Sequence, residues 1–189
     1  MTSTDSLMLA VWQDVSRHLE IGESTETLAD LLRKQMPLRS LMVCRFDAEH
    51  HSIRTVASWP ADPNNEFAFT QGTELSRTDW RRVEKWVKQG AVLHKQGDRK
   101  QAIDLLELIR LEAPESDWLL APLVGEHGSH GVLFTVSRTD NGFTKQHAKL
   151  LASLQEPIGV ALDNDARLYE LAALRDAAEA EKQTLLRRL

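Results

Sequence analysis

Residues 118–136, WLLAPLVGEHGSHGVLFTV, decide how the rest of the chain is read. Two apolar runs, LLAPLV and GVLFTV, flank the polar segment GEHGSH. Apolar runs of this length, bounded by glycine-containing turns, predict buried strands, and the short gap between them predicts a hairpin. Pro122 has no N–H to give to a ladder, so it predicts a bulge, a strand start or an edge position. His127 and His130 flank Gly128-Ser129. A metal there needs two more ligands from elsewhere, and an exposed turn is the expectation.

Working outward, the totals narrow the class. The chain has 189 residues, 42% hydrophobic and 27% charged, with a net charge of -5. That favours one domain with a packed core and leaves room for a second small element. An acidic balance argues against nucleic-acid contact spread over the domain, which needs clustered Lys and Arg. The one cysteine, Cys44, permits no internal disulfide and suits a reducing cytoplasm. No apolar run is long enough to span a membrane. The first fifteen residues lack a basic start, and Asp14 interrupts their apolar part, so they do not read as a signal peptide.

On the N-terminal side, Thr4 or Ser6 caps a helix to about Glu20, with Leu7, Val11, Val15 and Leu19 on one stripe. Ile21-Gly22 breaks it. Ser24 to Thr27 restart a helix with Leu28, Leu31, Leu32 and Met36 on its apolar face, and Pro37 ends it. Residues 41–47, LMVCRFD, predict a strand, AEHH a turn, and residues 52–59, SIRTVASW, the returning strand. Alternation puts Met42, Cys44 and Phe46 on one side and Leu41, Val43 and Arg45 on the other. Arg45 among core positions suggests an exposed strand edge. His50-His51 read as turn residues rather than metal ligands.

The middle, residues 59–118, holds four of the five tryptophans. Residues 66–70, EFAFT, predict a short strand. Ser76 caps a helix with Trp80, Val83 and Val87 on one side, Trp86 slightly off that stripe, and Gly90 at its end. Residues 91–94 predict a short strand. Residues 102–111 predict a helix with Ala102, Leu105, Leu106 and Ile109 as its face. Aromatic clusters with a few polar groups serve a small-molecule pocket, and equally an ordinary core.

After the hairpin, Thr144 caps a long helix, with Phe143 as the outer half of a hydrophobic staple. Leu150, Leu151, Leu154, Ile158, Ala161 and Leu162 form its apolar face, and Pro157 and Gly159 predict a bend. Beyond Asp163 the sequence LYELAALRDAAEAEKQTLLRRL has no glycine or proline. Leu171, Leu174, Ala178 and Leu185 fit heptad positions, while Glu181 and Arg188 fill the remaining ones, which is a short, imperfect coiled-coil signal. A helix running to the last residue without a cap suggests a chain cut from a longer protein.

The order of elements resembles a GAF domain. LLAPLV, GVLF and the closing stretch from FTKQHAKLL onward, above all EPIGVALDNDARL and LRDAAEAEK, resemble the GAF segment of bacterial sigma-54-dependent activators, the enhancer-binding proteins of GAF–AAA+–HTH type. The resemblance implies an α+β fold with a central antiparallel sheet. The N- and C-terminal helices lie on one face and a ligand pocket on the other. It divides the chain into a sensory domain, 1–163, and a helical signalling linker, 164–189, and places AAA+ and DNA-binding domains elsewhere in the full protein. This chain itself has no Walker GxxxxGK[ST]. The cyclic-nucleotide pattern, a suitably placed bilin cysteine, the several cysteines of the sulfoxide reductases and an iron-ligand cluster are not found, so the ligand and any cofactor stay unknown.

The expected function is a cytoplasmic regulatory sensor. It binds a small molecule and controls a transcriptional output through a homodimeric C-terminal helix, with no direct nucleic-acid contact and no membrane. The alternative is a GAF module that dimerises without a ligand. Catalysis is not expected, since no paired-carboxylate, Ser-His-Asp or HExxH pattern stands out. Ligand candidates are Arg45, Trp59, Phe67, Phe69, Trp80, His94, Arg110 and Trp118. The helix candidates for dimerisation and signalling are Ile158, Leu162, Leu168, Leu171, Leu174, Ala178 and Leu185.

Overall fold

Alternation along one strand sets the architecture. In the computed structural model, which describes residues 3–17, 20–60, 72–109, 115–126, 130–139 and 142–187, β1 (Leu38–Asp47) lies between β2 (Ser52–Trp59) and β6 (His130–Ser137). Its side chains are therefore buried on both faces. Leu41 and Val43 join an aliphatic core, while Met42, Cys44 and Phe46 join an aromatic one. The expectation that Arg45 marks an exposed edge is overturned: a central strand has no open edge, and Arg45 is 8% exposed.

Among the described residues the sheet has six strands, all paired antiparallel, in the order β3 (Thr73–Glu74), β2, β1, β6, β5 (Trp118–Val124), β4 (Leu93–His94). The hairpin of β5 (Trp118–Val124) and β6 forms as its apolar runs predict, with Trp118 opposite Val136. Pro122 sits where β5 has a neighbour on one side only. The two-residue β4 (Leu93–His94) pairs with Leu119 and Leu120 and ends before it. That local edge is where a residue without an N–H fits. β3 (Thr73–Glu74) pairs with the start of β2; the strand expected at 66–70 lies outside the described residues. His130 opens β6 rather than sitting in the turn, and His127 is outside the described residues.

One face of the sheet carries α1 (Ser3–Arg17), α2 (Ile21–Leu32), α5 (Lys145–Ser153) and α6 (Gln155–Arg187). α2 starts at Ile21, not at Ser24, so the expected break falls earlier. No side chain at Glu20 caps it. Its first N–H donates instead to Asp165 Oδ1 of α6, at 3.1 Å. Thr144 caps α5 in a reciprocal capping box: its hydroxyl accepts from His147 N, and the Thr144 N–H donates to His147 Nδ1. Pro157 does not bend a continuous helix. The break comes at Leu154, and Pro157 falls in the first turn of α6, where a missing N–H costs no helical bond.

The opposite face carries α3 (Arg77–Gln89) and α4 (Arg99–Leu108). Ser76 caps α3 by accepting from Asp79 N, and Gly90 ends it at φ 68, a left-handed conformation that favours glycine. α4 begins three residues before the expected position. No helix among the described residues is long and apolar enough to cross a membrane.

Candidate functional site

The clustered tryptophans were read equally as the wall of a pocket and as an ordinary core, and the resemblance placed a pocket on their face of the sheet. The structure packs them down. Trp80, Trp86, Trp118 and Phe134 are buried together with Val83, Leu106 and Ile109. Trp118 and Phe134 are 5.9 Å apart, and Trp80 stacks against His51 at 5.3 Å and meets Phe46 edge-on. The space left beside Phe46, Trp80, Val87 and His130 is about 30 Å³. Each large side chain so buried contributes about 1.5–3 kcal/mol to stability. Helix spacing forces this outcome: Trp80, Val83 and Val87 recur on one stripe of α3, and Trp86 turns in beside them to donate its indole N–H to Ala91 O at 2.9 Å.

Among the described residues, a larger opening lies between the two helices. A cleft of about 440 Å³ separates α3 from α4. Trp86, Leu93, Leu105 and Leu108 line its apolar part, and Arg82, Lys85, Gln89, Lys100, Gln101 and Asp104 its polar part. A second hollow of about 320 Å³ shares Arg82, Asp104 and Leu108 with it and reaches Ser76 and Asp79. The first volume lies in the range of small-ligand sites. A polar groove of about 510 Å³ at Gln35, His147 and Lys149 has Leu150 as its apolar side chain and lacks such a floor.

The expected ligand residues are not gathered at this cleft. Trp80 and Trp118 lie beneath it in the aromatic layer. Trp59 packs on the other face of the sheet, with the Arg33 guanidinium 5.1 Å above its ring. Arg45 also faces the helices, donating through Nη2 to Asp165 Oδ2 at 2.6 Å and to Leu162 O at 3.1 Å. His94 is spent on Asp117: its Nε2 lies 3.0 and 2.9 Å from the two carboxylate oxygens. Asp117, fully buried, also accepts from the Trp118 and Phe143 N–H groups, so the pair ties β4, β5 and the approach to α5 together. Phe67, Phe69 and Arg110 lie outside the described residues.

Sequence reasoning missed Arg82, Lys85, Lys100, Leu93 and Leu108. A signal was present. α3 carries Arg77, Arg81, Arg82, Lys85 and Lys88 against Asp79 and Glu84, in a chain of net charge -5.

Cys44 offers no nucleophile. Burial pushes its thiol up to about 12, against a smaller opposing hydrogen bond from Thr55, and only the thiolate attacks. Among the described residues no group of three His, Cys, Asp or Glu is placed to hold a metal ion.

The signalling candidates divide. α6 crosses the sheet near the hairpin tips. Gln155 Nε2 donates to Pro122 O of β5, Gly159 lies on the carbonyl of Val124, and Leu162 O and Asp165 meet Arg45 of β1. Tyr169 lies under the Arg54 guanidinium of β2 at 5.7 Å. Ile158 and Leu162 are therefore core residues, not a dimer surface. Leu168 is half-buried. Tyr169, Leu171, Leu174 and Leu185 are 67%, 63%, 67% and 55% exposed, and Ala178 is exposed too. Sheet contacts thus run past position 164, to Asp165 and Tyr169.

The family model described as "GAF domain" matches residues 20–164. No curated protein matches the chain. Among solved structures, it is similar to the GAF domain of an Acinetobacter phosphoenolpyruvate-protein phosphotransferase, at TM-score 0.63 and 11% identity over 90% of this chain and 99% of that one. It is similar to a free methionine-R-sulfoxide reductase from Neisseria meningitidis solved with its substrate, at TM-score 0.58 and 10% identity over 87% and 91%. It is also similar to the phycoerythrobilin-bound GAF domain of a cyanobacterial phytochrome, at TM-score 0.58 and 11% identity over 87% and 96%. At these identities the likeness speaks for the fold alone.

Proposed function

We propose, from the premise that this chain belongs to the GAF domain family, that it is a ligand-responsive sensor whose α6 drives an output domain through a parallel homodimer. GAF domains are regulatory sensor domains, and a bilin-bound neighbour shows a ligand held by this fold. The observation that carries the proposal is the course of α6. One 33-residue helix, roughly 50 Å long, is pinned to three strands at its start and presents Leu171, Leu174 and Leu185 to solvent at heptad spacing further on. The ligand site is the α3/α4 cleft, across the sheet from that helix. The output is a sigma-54-type transcriptional activator, on the strength of the closing sequence stretch. No catalytic step is assigned: the sulfoxide-reductase neighbour shares the fold, and this chain has one cysteine, held as a thiol.

A ligand moves the helix only if it binds one packing more tightly than the other. The test pairs two measurements on the whole chain. Sedimentation equilibrium should show a concentration-dependent dimer that Leu171→Glu/Leu174→Glu converts to monomer. Spin labels beyond Leu174 should change their inter-tail distance when a ligand that raises the melting temperature is added. A dimer whose tails keep one spacing in every ligand that stabilises the domain would defeat the sensor.

The second reading is a dimerisation module without a ligand. The directly packed tryptophan layer favours it, since Trp80, Trp86 and Trp118 are buried in a single apolar cluster. It predicts the same dimer with no thermal shift from any metabolite, anion or metal.

A further inference from the structure

We infer that the α3/α4 cleft selects an amphipathic anion: a small acid with a carboxylate, sulfonate or phosphate head and a flat apolar body. This rests on the cleft being the sensor's ligand site. Trp86, Leu105 and Leu108 supply an apolar wall, so a purely polar ion leaves that surface uncovered. Arg82, Lys85 and Lys100 stand at the same cleft against one carboxylate, Asp104. All three cations are exposed and have no ion-pair partner among the described residues.

Uncommitted positive charge over an apolar wall, in a chain of net charge -5, attracts a negative ligand rather than a neutral or cationic one. The guanidinium of Arg82 gives the head a planar fork of donors. Lys85 lies one helical turn further along the same face of α3, and Lys100 reaches in from α4. The volume, about 440 Å³, suits a molecule of one or two rings.

The probes are 8-anilinonaphthalene-1-sulfonate and its neutral relative N-phenyl-1-naphthylamine, followed by fluorescence with the whole chain. The sulfonate should bind at least several-fold more tightly than the neutral dye, and added salt should narrow that gap. Arg82→Gln/Lys85→Gln/Lys100→Gln should weaken the sulfonate roughly tenfold and leave the neutral dye unchanged. Lys85→Glu, a single exposed change that leaves the fold intact, should act in the same direction.

Equal affinity for the two dyes, sulfonate binding that ignores all these changes, or no sulfonate binding at millimolar concentration each overturn the assignment. Saturation by the sulfonate with no change in tail spacing leaves the ligand class standing and removes the sensor instead.

Discussion

The two faces of the sheet bury apolar side chains in different ways. The helix face is aliphatic and wired. Leu28, Leu32, Leu38, Leu119, Leu123 and Leu162 fill it. One carboxylate, Asp165, joins three elements at once: it accepts from the guanidinium of Arg45 on β1 and from the first N–H of α2 while belonging to α6. The opposite face is aromatic, with no charged cross-link from α3 or α4 to the sheet among the described residues, and its two helices part to leave a cleft. A buried ion pair contributes little net stability but fixes geometry, because any slip strands a charge away from water. Apolar packing has no such directional demand. Movement of the helix face therefore requires the ion pair to move as a unit, while α3 and α4 can shift against each other at lower cost.

The largest predicted effect breaks the wired face. Asp165→Ala leaves Arg45 buried and uncompensated and removes the α2 cap, so urea unfolding should show a loss of about 3–5 kcal/mol. Arg45→Met/Asp165→Leu should restore most of it. A loss under about 1 kcal/mol for the single change would mean that the ion pair is not the fixing element.

Next is the close approach of α6 to β5. A β-carbon at Gly159 would lie 2.4 Å from Val124 O, a backbone atom that cannot swing aside. Gly159→Ala should cost about 1–3 kcal/mol despite the better helix propensity of alanine. On the cleft side, Ser76→Ala removes the hydroxyl that accepts from Asp79 N, and thermal melts should register about 1 kcal/mol.

A pH test sharpens the comparison further. Burial lowers the His147 pKa below its usual 6.5; a hydrogen bond to the Gln35 backbone opposes this, and the charge on His94 adds to the lowering. As pH falls, the unfolded chain takes up the proton first. The contribution is therefore complete above pH 6.5 and is lost as the pH drops from there through the folded value. His147→Gln keeps an acceptor for the Thr144 N–H and removes that dependence. Wild-type stability should fall relative to His147→Gln as the pH drops below about 6.5. The smallest effect belongs to the cleft: Lys85→Glu should change stability by no more than about 0.5 kcal/mol.

Much of the frame was legible in the chain. Alternation in LMVCRF assigned Leu41 and Val43 to one core and Met42, Cys44 and Phe46 to the other, as found. Ser76, Gly90 and Thr144 announced their helix ends because capping is a local exchange of hydrogen bonds. Arg45 was misjudged as an edge residue, and its partner is the reason: Asp165 lies 120 positions away, beyond the reach of any local pattern. His94 and Asp117 are separated by 23 positions and met for the same kind of reason. The cleft was not legible in the chain because the space between α3 and α4 is lined largely by charges, which at helical spacing read as a solvated face.

By itself the sequence determined the two long hairpins, the helix ends at Ser76, Gly90 and Thr144, and the alternation of β1 between two faces, because each follows from spacing within a few residues. Only the tertiary structure decided that Arg45 holds α6, that Asp165 caps α2 and that a cleft opens between α3 and α4. These depend on which distant surfaces meet, and burial then leaves charges and glycines a single workable arrangement.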